Sequence, residues 1–137
     1  MKTINLQFID AALGPLVGSA GDRAQLEHYQ NLNPDNEYHV KAVIAETLKP
    51  RFDNRPERYR KAVRNALAYA LLQDDFDFTT IFINNRIAFA PPATSRNFFF
   101  WMWQILFLEQ PIRLDYTLRD ATVIRDFNEP LQWGRNA

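Results

Sequence analysis

The feature that most constrains this chain is a run of eleven residues, 98–108, in which ten side chains are apolar. The run is too short to cross a bilayer as a helix, which requires about 20 apolar residues. A helix without a polar face is typical of the centre of a core, so we expect the run to be buried on nearly every side. The alternative is a solvated edge that meets a partner or lines a ligand pocket. The face most suited to that role carries Asn97, Trp101, Gln104 and Leu108.

The size of the chain supports one core built around this run. Its 137 residues lie close to the commonest domain length. Its 11 Phe, 5 Tyr and 3 Trp provide large side chains to fill a core. We therefore expect a single α+β domain over residues 1–137.

Cysteine is absent from the sequence. This excludes disulfides, thiolate metal sites and cysteine nucleophiles, and it suits a reducing compartment. Asn5, Gln7 and Asp10 interrupt the apolar residues near the N-terminus, which argues against a secretory signal. We expect a cytoplasmic protein.

Alternation of apolar and polar residues predicts five strands. The second and third would form a hairpin at Asn84-Asn85, because asparagine tolerates the positive φ of a tight turn. The fourth and fifth would form another hairpin. The five segments are 3–9, 76–83, 86–90, 112–118 and 122–127.

Apolar residues at helical spacing predict helices between these strands. A short helix is predicted at 23–32. The second should begin at a cap formed by Asn33-Pro34-Asp35 and end near Lys49, because Pro50 follows.

The third helix, from Pro56 to about Gln73, carries its apolar residues on one face. With the run at 98–108 as the fourth helix, the element order is βαααββαββ. The predicted fold is α+β, with a mixed or antiparallel sheet of about five strands packed against about four helices. The apolar face of the third helix consists of Tyr59, Val63, Ala66, Leu67, Ala70 and Leu71.

Charge is balanced over the whole chain but not along it. The formal net charge is +0, yet segment 49–64 holds seven of the 16 basic residues against two acids. Arginine dominates this segment, and its planar guanidinium suits carboxylate or phosphate partners. A solvated helix face is the structural alternative. The neutral overall balance favours a protein over a nucleic acid as the partner.

An acidic turn follows the third helix. Its carboxylates lack the further oxygen ligands of a calcium loop, so we expect either a solvated connection or a patch that meets a basic partner. The basic and acidic groups lie near the two ends of one helix. The predicted partner contacts are Arg55, Arg58, Arg64, Asp74, Asp75 and Asp77.

No residues in the sequence match a familiar catalytic or cofactor pattern. The loop from Gly14 to Gly21 lacks the lysine of a phosphate-binding loop and the glycine spacing of a dinucleotide site. The two histidines, His28 and His39, do not have the spacing of a metal site. We therefore predict no catalytic residue, no bound metal and no cofactor, which favours a protein without enzymatic activity.

These exclusions favour a protein that works by binding. The hypothesis is a non-enzymatic protein-binding module, most concretely a bacterial toxin-neutralising protein of the immunity type that forms a tight complex. Its partner would be another protein, such as a toxin domain. We expect no membrane binding, and a nucleic acid is disfavoured. A homodimer is compatible with the sequence.

The alternative hypothesis is a small-molecule-binding or enzymatic domain with a pocket between a curved sheet and the helices. A cavity of several hundred Å³ that holds a convergent His or Asp would favour it. A third hypothesis is nucleic-acid binding through residues 49–64. Side chains that could line the pocket are Tyr116, Trp101, Trp103, His39 and Asp77.

Overall fold

Helices, rather than strands, form most of the chain that the structure describes. The computed structural model describes residues 2–16, 32–87 and 92–134. These ranges contain six α-helices and one sheet of two strands. The predicted α+β fold with a five-stranded sheet was therefore wrong. The helix predicted at 23–32, apart from Leu32, and most of the glycine loop lie outside the described residues.

The elements follow one another in the order β1, α1 to α5, β2 and α6. Two single turns of 3₁₀ helix, at Gly14–Leu16 and Tyr116–Leu118, lie between them. The bounds are β1 Thr3–Asn5, α1 Gln7–Ala12, α2 Glu37–Asp53, α3 Glu57–Leu71, α4 Phe78–Asn84, α5 Ser95–Leu106, β2 Thr122–Ile124 and α6 Asn128–Trp133.

The apolar run forms the centre of the fold, as predicted. α5 packs on α2, α3 and α4. Phe100 and Leu108 are 40% and 72% exposed, so the expectation that all ten apolar side chains are enclosed was wrong at these two positions. Within the described ranges, each helix is too short or too polar to cross a membrane. The buried side chains of the run are Phe98, Phe99, Trp101, Met102, Trp103, Leu106 and Phe107.

The third predicted helix is confirmed as α3. Every residue of its predicted apolar face, from Tyr59 to Leu71, is buried. The face packs against α1, β1 and α5.

The segment predicted as a strand at 76–83 is instead the helix α4. Asp77 caps it, since its Oδ1 accepts a hydrogen bond from the Thr80 amide at 3.0 Å. Phe78, Ile81 and Phe82 are buried, at the i, i+3 and i+4 spacing of a helix. The hairpin predicted at Asn84-Asn85 was therefore wrong as well, because Asn84 is the last residue of α4.

The prediction that the second helix ends near Lys49 was wrong, because α2 continues through Pro50 to Asp53. Proline removes one backbone donor from the helix. The continuation places Leu48 and Phe52 in the core, and this burial offsets the loss of the bond. The predicted start was also displaced, because Asn36 is the cap and accepts from the His39 amide at 3.2 Å.

The two-stranded sheet joins the beginning and the end of the described chain. β1 and β2 are parallel, with Thr3 opposite Thr122 and Asn5 opposite Ile124. The predicted strand at 3–9 is thus cut short, because α1 begins at Gln7.

The predicted hairpin between 112–118 and 122–127 was wrong. The Asp115 side chain accepts from the Thr117 amide at 2.9 Å and starts a 3₁₀ turn, which ends the extended backbone. Ile112 and Leu114 pack against the core without a strand partner. Their alternation therefore reflects contact with the core on one side rather than membership of a sheet.

Asn5 fixes the connection between the two chain ends. Its side chain is 5% exposed. Its Nδ2 donates to the Asp126 carbonyl and to Glu129 Oε1, both at 2.9 Å. Its Oδ1 accepts from the amides of Gln7 at 3.1 Å and Asp126 at 3.0 Å. One amide side chain therefore links the start of α1 to the segment between β2 and α6.

Replacing Asn5 with leucine should lower the free energy of unfolding by about 3 kcal/mol, because several buried polar groups lose their partners. Urea denaturation measures the change. Asn97→Ala on the exposed face of α5 is the control, with an expected effect below about 0.5 kcal/mol. Equal effects of the two substitutions would contradict the role given to Asn5.

Candidate functional site

Arg55, one of the predicted partner contacts, connects two parts of the fold. Its Nη1 donates to the Gly134 carbonyl at 2.7 Å, and its Cζ lies 5.4 Å from the centre of the Tyr59 ring. Burial raises the pKa of Tyr59, and the charge of Arg55 offsets part of this rise. Arg55 therefore has a structural role at the end of α6.

The other two predicted arginines lie on different aromatic rings. Arg58 is 5.3 Å from the ring centre of Trp133, and Arg64 is 5.4 Å from that of Trp103. Each guanidinium lies in the range of a cation–π contact. The three predicted arginines do not share one surface, because each lines a different hollow.

The three predicted acidic residues also differ in their surroundings. Asp74 and Asp75 are exposed in the turn between α3 and α4. Asp77 accepts hydrogen bonds from the hydroxyl and the amide of Thr80, at 2.5 and 3.0 Å. These bonds stabilise the carboxylate and lower the pKa of Asp77.

A hollow of about 310 Å³ lies where the C-terminal ends of α2 and α5 meet the N-terminal half of α3. We call it the basic groove. Four basic side chains line it beside an apolar wall. It is lined by Lys49, Arg60, Lys61, Arg64, Leu106, Phe107 and Leu108, and also by the acidic Asp53 and Glu57.

Among the described residues, the lysines of the basic groove have carboxylates within 4.0 Å, whereas the arginines do not. Arg64 does act on Asp115 from farther away: after the hydrogen bonds from Thr117, the charges of Lys2 and Arg64 help to lower the pKa of Asp115. Lys49 lies 2.9 Å from Asp53, and Lys61 lies 3.5 Å from Glu57. Among the described residues, no carboxylate lies within 4.0 Å of Arg60 or Arg64. Two like charges at i and i+4 on one helix destabilise it slightly.

Both arginines are nevertheless held in place. Arg60 Nε donates to the Arg55 carbonyl at 3.1 Å, and Arg64 lies on the Trp103 ring. Positioned guanidinium groups without a counter-ion form a ready site for an anion.

Leu108 lies in the wall of this groove in an unfavourable backbone conformation. Its φ is 52°, and that of Glu109 is 60°. Left-handed backbone costs about 1 kcal/mol or more for a residue with a side chain. The turn is held by the Glu109 amide, which donates to the Gln104 carbonyl, and by Trp103 Nε1, which donates to the Gln110 carbonyl. An exposed leucine is therefore presented beside Arg60 and Arg64.

A second and larger hollow, of about 610 Å³, lies between α1, α4 and the residues after β2. We call it the α1–α4 cleft. Two carboxylates, one guanidinium, three amide side chains and two phenyl rings line it. These residues are Asp10, Asp77, Arg125, Gln7, Asn84, Asn85, Phe76 and Phe127.

The cleft has the size and the aspartates that would favour the small-molecule hypothesis, although no curved sheet borders it. Of the five side chains predicted for a ligand pocket, Asp77 alone lines it. Trp101 and Trp103 are buried in the core, and Tyr116 and His39 are exposed elsewhere. The residues that the sequence analysis missed are Asp10 and Arg125, with Phe127 beside them. Asp10 precedes Arg125 and Phe127 by more than a hundred positions in the chain, so no local pattern indicated that these side chains meet.

Neither a metal centre nor a related protein identifies the function of these hollows. His28 lies outside the described residues. Within the described part of the chain, no three His, Asp or Glu side chains converge as metal ligands would. No protein-family model, curated protein or solved structure matches the chain.

Thr80→Val should raise the pKa of Asp77 towards its ordinary value, because the hydroxyl bond to the carboxylate is lost. When folding lowers the pKa of a carboxyl group, that group stabilises the folded state at any pH above its pKa in the unfolded chain. The stabilisation is lost as the pH falls through the lower pKa of the folded state. The variant should therefore lose less stability on acidification below about pH 4 than the original chain.

Side-chain carboxyl NMR over a pH titration measures the pKa directly. Thr79→Val is the control, because the Thr79 hydroxyl donates to Ser95 Oγ rather than to Asp77. An equal change in both variants would show that the Thr80 hydroxyl is not responsible.

Proposed function

We propose that this chain is a non-enzymatic protein-binding module that holds an acidic, leucine- or aromatic-containing segment of a partner protein in the basic groove. The observation that carries the proposal is that Arg60 and Arg64, which have no carboxylate within 4.0 Å among the described residues, lie in the same hollow as the exposed Leu108.

The charge of the groove favours an acidic occupant. Lys49 and Lys61 are neutralised by neighbours on their own helices. A guanidinium can accept a carboxylate through two parallel hydrogen bonds. Because Arg60 and Arg64 are already held by other contacts, binding would cost little of their side-chain entropy.

The apolar wall favours a protein over a nucleic acid. Leu108 is 72% exposed and continues an apolar wall formed with Leu106 and Phe107, so an apolar side chain of a partner that covered it would stabilise the complex. Nucleic-acid-binding domains usually have a strong positive charge, whereas this chain has a formal net charge of +0.

Neutralisation of a bacterial toxin remains the most concrete form of this proposal, and it requires an acidic segment on the toxin. The absence of cysteine supports a cytoplasmic setting. Contacts of a partner with the other predicted residues stay a separate prediction, because these residues do not line the basic groove. They are Arg55, Arg58, Asp74, Asp75 and Asp77.

Arg60→Gln combined with Arg64→Gln should weaken the binding of a fluorescein-labelled, Glu-rich peptide with one Trp by about tenfold, which is about 1.4 kcal/mol. Fluorescence anisotropy measures the Kd. Arg51→Gln is the control for charge, because Arg51 is exposed and lies outside the groove. The same peptide with Gln in place of Glu should bind weakly to every variant.

A peptide that binds the double variant and the original chain equally would remove the groove from the interface. Tighter binding of a single-stranded oligonucleotide than of the acidic peptide, with a steep dependence on salt, would support nucleic-acid binding instead. Dimerisation that the double variant abolishes would indicate that the occupant is a second copy of this chain.

Leu108→Gly should change stability and binding in opposite directions. Glycine relieves the left-handed strain, so the free energy of unfolding should rise by about 1 kcal/mol. Loss of the apolar anchor should weaken the binding of the acidic peptide by about tenfold. Urea denaturation and anisotropy measure the two effects. A variant that is less stable and binds as tightly as the original would refute a binding role for Leu108.

A further inference from the structure

The α1–α4 cleft is independent of the basic groove, since no residue lines both. The titratable side chains that line it among the described residues are Asp10, Asp77 and Arg125. Two carboxylates and one guanidinium therefore line the same hollow. The side chain of Arg125 is 51% exposed, so water screens its charge more effectively than that of a buried group.

Asp10 has an oxygen that receives no hydrogen bond from the described part of the chain. Its Oδ1 accepts from Asn85 Nδ2 at 2.6 Å. Its Oδ2 is buried and forms only a long ion pair with Arg125 Nη1, at 4.0 Å. A buried carboxylate oxygen without a hydrogen bond is costly, and a donor that enters the cleft as Arg125 swings into solvent would relieve this cost.

The cleft continues into an apolar hollow of about 250 Å³ between α1 and α6. The two share Gln7, Asp10 and Phe127 as a common wall. Phe127 is 70% exposed and Leu131 is 66% exposed. A polar, net acidic space thus adjoins an apolar one, with an aromatic ring at the boundary. An ammonium group is attracted both by carboxylates and by the face of such a ring.

We propose that the α1–α4 cleft binds a small organic amine that carries an apolar tail. The Asp10 carboxylate holds the ammonium group within the negative field of Asp77, and the tail lies against Phe127 and Leu131. An anionic ligand would meet two carboxylates. A neutral ligand would leave Asp10 Oδ2 with only the long ion pair to Arg125.

The test is an NMR titration of the ¹⁵N-labelled protein with phenethylamine. We expect shifts in the amides of Asp10, Thr80 and Phe127, and no shifts in the basic groove. Phenethyl alcohol has the same tail without the charge, phenylacetate has the opposite charge, and ethylamine has no large tail. Each should bind at least about fivefold more weakly than phenethylamine.

Two substitutions should change the affinity in opposite directions. Asp10→Asn keeps an oxygen that can accept a hydrogen bond from Asn85, and it should weaken the binding of phenethylamine by about fivefold. Arg125→Gln removes the competing cation and should tighten binding by about threefold. Asp120→Asn is the control, because Asp120 is exposed and does not line the cleft.

Tighter binding of phenylacetate than of phenethylamine, or weaker amine binding by Arg125→Gln, would overturn the proposal. So would equal binding of the alcohol, since the carboxylates would then have no part in recognition. Because Arg125 is largely exposed, its variant provides a readout even if Asp10→Asn does not fold. Phenylacetate is also an anion of the kind that the basic groove is proposed to bind, so each affinity is taken from the amide shifts of Asp10, Thr80 and Phe127 alone. The outcome at the cleft therefore leaves the proposed protein-binding function untouched.

Discussion

The structure depends on the burial of α5 among its neighbouring helices. Phe99 stacks on Phe78 with ring centres 4.7 Å apart, and Phe98 meets the edge of Phe82 at 5.2 Å. Just after the helix, the Phe107 ring lies 4.5 Å from that of Trp103 and 5.3 Å from that of Phe52 in α2. Ring pairs at these distances add to the stabilisation that comes from removing apolar area from water. They fix α4 and α2 against α5 and therefore determine which residues remain at its ends.

The same aromatic side chains organise the basic surface. Arg58 and Arg64 each lie over a tryptophan ring, and Arg96 lies over Phe78. A guanidinium on a ring face keeps its hydrogen-bonding edge available to another molecule. The core therefore positions the basic groove in two ways: it supports Arg64 through Trp103, and it ends α5 in the turn that exposes Leu108.

The α1–α4 cleft has a different origin, because it depends on the pairing of the chain ends. β1 and β2 bring residues 3–5 beside 122–124. The Asn5 side chain then binds Asp126 and Glu129, which sets the path of the chain through Arg125 and Phe127. The wall of the cleft and the stability of the end-to-end connection thus rest on the same hydrogen bonds.

Local sequence patterns were sufficient to predict the helices whose apolar face extends over several turns. In α3 and in the run at 98–108 the spacing of apolar residues repeats over several turns, so a single period fits and the buried residues follow from it. Segment 76–83 was misread as a strand because a short apolar run fits either period, and the cap formed by Asp77 decided for the helix. Segment 112–118 alternates like a strand, but alternation does not provide a partner strand.

Periodicity and composition were enough to place α3 and α5, to indicate a shared apolar core and to show the uneven distribution of charge along the chain. The pairs Lys49–Asp53 and Lys61–Glu57 are also local, because each joins residues four apart on one helix. Contacts between distant residues set which of these side chains share a hollow. Asp10 and Arg125 meet through strand pairing. The physical reason is that periodicity records contacts within a few residues, while a binding site is formed by contacts between residues that are distant in the chain.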